Sequence, residues 1–146
     1  MKFPPCLLAL AIIVPLLSSS AAAPDFSGHW VVDLRTPIER EKNLECGSAG
    51  FDLIQQGSRI VGSHYFATVG CGRQNEGGDE TVKGVVVNET AVLVVTSGRN
   101  GAVVMGTATL RSGSLHWQLL EDIRAGEPEG DSPLILGKGV LIREKP

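Results

Sequence analysis

Eight short runs of β-favouring residues, separated by glycine-containing turns, constrain this chain more than any other feature. They are His29–Leu34, Phe51–Gln55, Arg59–Thr68, Thr81–Val87, Ala91–Thr96, Ala102–Leu110, Ser114–Leu120 and Leu134–Arg143. Gln56-Gly57-Ser58, Asn88-Glu89, Gly98–Gly101 and Ser112-Gly113 connect them, and connections this short make sequence neighbours antiparallel. Eight such strands leave exposed edges unless they close, so the expected fold is all-β: an antiparallel up-and-down barrel of about eight strands. Gly62, Gly84, Gly106, Gly137 and Gly139 fall inside the runs, where a glycine weakens a strand unless a bend or a close approach requires it. Closing a small barrel needs such bends. One short helix is expected after the first strand. Thr36-Pro37-Ile38-Glu39 has the form of a capping box with proline at the first helical position, and the helix would run over Ile38–Leu44.

The first 22 residues are expected to be a signal peptide, with residues 23–146 forming a single domain. Lys2 supplies the basic start, Cys6–Leu17 the apolar run, and Ser20-Ala21-Ala22 the small-residue exit. Cleavage after Ala21 or Ala22 fits this polar exit better than an uncleaved anchor does, and no membrane span is expected afterwards. The protein is then secreted or periplasmic. In an oxidising compartment the remaining pair, Cys46 and Cys71, is expected to form a disulfide; neither lies in a CxxC or CxxH pair that would suggest a metal. By chain entropy, closing that loop is worth roughly 3 kcal/mol.

Charge excludes one class of partner. The chain has 13 basic and 16 acidic residues, and losing Lys2 with the leader shifts the balance further towards acid. There is no Lys/Arg run, so nucleic acid is not an expected partner. Val85–Val87 and Val92–Val95 are apolar on both strand faces. That pattern suits a covered outer face and so a homo-oligomer, although valine enrichment in strands also produces it.

Side-chain alternation assigns the faces. Ile60, Gly62, His64 and Phe66 share one face of their strand, with Arg59, Val61, Ser63 and Tyr65 on the other. His29 and His116 each precede a tryptophan, so they point outwards if Trp30 and Trp117 point in. The Gly28-His29-Trp30 start resembles the calycin barrels, which include lipocalins and avidins. Ser58–Gly70 resembles the second avidin hairpin, and Ser114–Leu120 the strand that presents a ligand-stacking tryptophan. The resemblance implies a calycin-like barrel with Trp30 plugging or lining one end and Arg143 packing on it. It does not imply biotin binding, because no matching asparagine and serine closely follow Trp30.

Few residues suggest chemistry. The leading expectation is a non-enzymatic module that binds a small apolar or amphipathic ligand, with Trp30, Tyr65, Phe66 and Trp117 as candidate lining residues. The alternative is an inhibitor of a secreted hydrolase. Thr96–Ala102 forms a hairpin tip faintly similar to the inhibitory loop of periplasmic lysozyme inhibitors, and Arg99, Asn100 and Arg73 would contact the partner. No catalytic set, metal site or cofactor is expected. Ser97 sits in no nucleophile elbow, and the three histidines lack metal-ligand spacing. The acidic loops Glu76–Glu80 and Glu127–Asp131 are read as solvated charge.

Overall fold

The computed structural model describes residues 22–145, so the signal-peptide reading, apart from its last residue, lies outside the described residues. The strands are β1 (Gly28–Asp33), β2 (Cys46–Gln56), β3 (Arg59–Val69), β4 (Gln74–Asn75), β5 (Val82–Val87), β6 (Thr90–Thr96), β7 (Val103–Arg111), β8 (Ser114–Arg124) and β9 (Lys138–Glu144). All but the two-residue β4 form a closed antiparallel barrel of eight strands in the order β2-β1-β9-β8-β7-β6-β5-β3, with β3 returning to β2. This up-and-down topology is the expected one and is compatible with a calycin-like barrel. The seam is short. β1 meets β9 through His29↔Glu144, Trp30↔Arg143 and Val31↔Ile142 only.

Helix α1 (Pro37–Glu41) follows β1 and stops short of the expected Leu44. The capping box forms: the Glu39 amide donates to Thr36 Oγ1 at 3.3 Å, and the Thr36 amide to Glu39 Oε2 at 2.7 Å. The helix buries no residue, so the cap carries most of its local stability. Thr36→Ala is expected to cost about 1 kcal/mol in urea denaturation; a change under a few tenths would mean that the helix contributes nothing to folding.

Three segments depart from the expected strands. β2 begins at Cys46, several residues before Phe51, through Gly47-Ser48-Ala49-Gly50. Those residues are small because their neighbours are close: a Cβ at Gly50 would run into the Trp30 carbonyl oxygen and the Tyr65 ring. β8 continues through Glu121–Arg124, where two register shifts against β7 replace the apolar pattern. The last run is shorter than expected. Leu134–Gly137 lies outside β9, and Gly137 has open space around its Cα.

Gly62 and Gly106 answer to the close-approach reading. A Cβ at Gly62 would overlap the Asp52 carbonyl oxygen on β2. One at Gly106 would overlap the Gln118 carbonyl oxygen and the Trp117 ring, beside a register shift between β7 and β8. The Cys46–Cys71 disulfide is present, with Cα atoms 5.3 Å apart across 25 residues of sequence. It joins the start of β2 to the turn after β3, where Cys46 already pairs with Val69.

Large side chains fill the interior. Trp30, Phe51, Leu93, Leu115, Trp117 and Leu141 are among the fully buried residues. Phe51 packs against Trp117 with ring centroids 5.2 Å apart and edge-on against His64 at 4.8 Å. At the end where β2 turns into β3, Phe26 folds in. Its amide donates to Gln55 Oε1 at 2.9 Å, and its carbonyl accepts from the Trp30 indole at 2.9 Å.

Candidate functional site

At the opposite end of the barrel, the segment between β8 and β9 crosses the opening as a strap. Buried polar side chains from β3, β4, β8 and the residue after β6 hold its backbone. Ser97 Oγ donates to the Pro133 carbonyl at 2.7 Å, and Asn75 Nδ2 to the Leu134 carbonyl at 3.2 Å. The Trp117 indole N–H donates to the Leu136 carbonyl at 2.6 Å, and the Leu136 amide donates to His64 Nε2 at 3.2 Å. Leu134 and Leu136 are 5% and 4% exposed. A backbone buried away from water has to find partners, and here side chains supply them because the strap joins no ladder until the Gly137 carbonyl meets the Leu119 amide.

Two candidate loop-contact residues anchor this strap from outside. Arg99 forks onto the Asp131 carboxylate, with Nη2 to Oδ2 at 3.0 Å. Asn100 Nδ2 donates to the Asp131 carbonyl at 3.0 Å, and its own backbone carbonyl accepts from the Glu127 amide at 2.9 Å. Arg99 therefore does not stand free at the rim; it is spent on an internal pair. Asp131 is likewise an ion-pair partner rather than a solvated charge, because the strap folds back over the hairpin. Arg73 is exposed, and only its backbone is tied, to Thr68.

The candidate lining residues separate. Trp30 and Trp117 are each 1% exposed and line no open mouth among the described residues. Arg143 lies over the Trp30 ring at 4.5 Å, as the calycin resemblance implies. Phe66 faces in and packs on the core. Tyr65 faces out, as strand alternation requires, and stacks on His29 at 6.0 Å. Burial, with Asp52 and Glu144 nearby, pushes the Tyr65 phenol up to about 12. His29 bridges the seam: its Nδ1 meets Asp52 of β2, and its Nε2 lies 3.6 Å from Glu144 of β9.

The histidines do not converge. His29 and His116 point outwards, while His64 points inwards and is fully buried. Its Nε2 accepts from Leu136, so Nδ1 carries the hydrogen, and Nδ1 has no partner. Burial holds this imidazole far below its ordinary range, at about 4. Ser97, weighed as a nucleophile, has its hydroxyl committed to Pro133 and accepts from the Arg99 amide at 3.1 Å. Asn75 escaped the sequence reading; in a glycine-rich loop nothing distinguishes a buried asparagine from a turn residue. β4 was missed for the same reason: it is two residues long, pairing Gln74 and Asn75 with Ala67 and Phe66.

Open depressions lie on the outer wall. One is a shallow groove of roughly 460 Å³ lined by Val61, Lys83, Val85, Val92 and Val94 among others. A second, of roughly 650 Å³, adjoins it at Val61 and Glu80 and reaches Ile54 and Asp52. Comparison with protein-family models, with curated proteins and with solved structures finds no match to this chain.

Proposed function

We propose that this protein is an exported, non-enzymatic binding module that works from its outer wall, with a second copy of the chain as its occupant, and not a carrier of a small ligand in its interior. One observation carries the reading: the inside is packed while part of the outside is apolar. Ile54, Val85 and Val87 are 58%, 48% and 56% exposed. Strand register joins them across the wall through Ile54↔Val61 on β2–β3, Arg59↔Val85 on β3–β5 and Val85↔Val92 on β5–β6. Arg59 and Lys83 stand among these side chains, and exposed apolar side chains bordered by charge in this way mark an interaction site.

Charge at the rim favours a copy of the same chain. Lys83 and Glu80 pair at 3.5 Å, both 67% exposed, and a two-fold axis through the valines can exchange them for an intermolecular pair. The disulfide is consistent with an oxidising compartment, and no described helix is long and apolar enough to cross a membrane.

Sedimentation of the full chain at about 100 μM is expected to show a dimer. Val85→Glu combined with Val94→Glu should raise its dissociation constant at least tenfold, roughly 1.4 kcal/mol, without changing the thermal midpoint at a dilution where both chains are monomeric. A wild-type chain that stays monomeric over the same range would sink the reading. So would saturable quenching of the buried tryptophans by an apolar probe, which belongs to an interior carrier.

A further inference from the structure

The strap is held as a bound peptide is held. Three donors reach its carbonyls: Ser97 Oγ at Pro133, Asn75 Nδ2 at Leu134 and Trp117 Nε1 at Leu136. One acceptor, His64 Nε2, takes its Leu136 amide. Leu134 and Leu136 are buried; Leu136 joins the barrel core, and Ile135 between them packs against it. Residues from β3, β4, β8 and the position just after β6 thus read a backbone that belongs to no strand.

We propose that this end of the barrel is a binding site for an extended apolar peptide, occupied in cis by Pro133–Leu136. The site would take a segment of three consecutive apolar side chains, as Leu134-Ile135-Leu136 is, its carbonyls facing the three donors. This goes beyond the outer-wall contact and does not rest on it.

Two features make the cis occupant replaceable. Leu134 sits at φ 49°, a left-handed conformation that a branched residue adopts only at a cost. The outer anchor comes from one hairpin tip alone: the Arg99–Asp131 ion pair and the two hydrogen bonds of Asn100 to Asp131 and Glu127. A tethered segment competes at a high effective concentration, so an external peptide binds well only after the strap is weakened.

The test uses the full chain carrying Leu134→Ser and Leu136→Ser, with a synthetic peptide of residues 131–138 added in trans. The expected result is saturable binding about tenfold or more tighter than to wild type, with tryptophan emission returning towards the wild-type spectrum. A peptide with serine at both leucine positions should not bind. Equal binding of the two peptides, or none to a folded variant, overturns the proposal. If the double variant does not fold, Arg99→Gln serves instead: hydrogen exchange at the Leu136 amide should speed up and then slow again with peptide, and a peptide without effect on that amide also overturns it.

Discussion

Trp117→Ala is expected to lower the stability of the chain by about 4 kcal/mol, in the range for truncating a large buried aromatic. The ring is 1% exposed, lies against Phe51 and covers Gly106, where even a methyl group would collide with it. Alanine leaves a cavity in a close-packed interior, and it also strips the Leu136 carbonyl of its donor. An orphaned buried carbonyl adds about 1–3 kcal/mol. Domains of this size hold only about 5–15 kcal/mol in total, so the variant should sit near the edge of folding. In urea the midpoint should fall with the slope unchanged. Trp117→Phe separates the two contributions: it keeps most of the volume and loses the N–H, so a loss of about 1–2 kcal/mol is expected. If alanine here cost under about 1 kcal/mol, the ring would be a mouth-lining group exposed to ligand or solvent, and the packed interior on which the outer-wall reading depends would go with it.

The barrel was legible because its signals are local. Alternation put Ile60, Gly62, His64 and Phe66 on one face and Tyr65 on the other, and the barrel turns the first set in; naming Tyr65 with Phe66 as lining residues overlooked that they lie on opposite faces. The capping box and the even pair of cysteines were legible for the same reason: each needs only nearby residue types or a parity. What could not be read was how the connections close the ends. Leu134–Gly137 looks like strand because it is apolar, yet its leucines serve a strap and the β9 ladder starts only at Lys138. Arg99 looks displayed because a hairpin tip displays its side chains; its partner, Asp131, is 32 residues away and has no pattern linking it to the tip. Asn75, Ser97 and His64 came together from separate elements for one backbone segment, and no single-sequence spacing encodes that meeting. The outer valines were visible as residues apolar on both faces, but their exposure depended on which strands were left uncovered.

Acid should destabilise this protein between about pH 6.5 and pH 4, and His64 sets that window. In the folded chain its imidazole is buried, accepts from the Leu136 amide and titrates near 4; freed by unfolding, it titrates near its ordinary 6.5. Above the higher value both states are neutral there and the group adds no pH dependence. As pH falls through the window the unfolded chain binds the proton and the folded chain does not, so stability is lost as the solution acidifies. Below the folded value both are protonated and the slope vanishes. The full span corresponds to a loss on the order of 3 kcal/mol. Desolvation is the dominant cause, opposed only by the backbone of His64 itself, with no charged side chain contributing. The carboxylates held low, Asp25, Asp33 and Glu39, act elsewhere: their ordinary values are 3.8, 3.8 and 4.5, so the stability they add is lost mainly below this window. His64→Gln keeps an oxygen for the Leu136 amide and removes the titration, so its urea stability should be nearly flat where the wild-type curve falls. Because protonation turns Nε2 from acceptor to donor, the strap should loosen before the barrel opens. Protection of the Leu136 amide, relative to its intrinsic exchange rate, should therefore fall with acid ahead of that of the β6 and β7 amides in the wild type, and should lose that lead in His64→Gln. A wild-type stability curve that is level across the window would mean that the buried imidazole reaches water in the folded chain, and the closed end of the barrel would have to be redrawn.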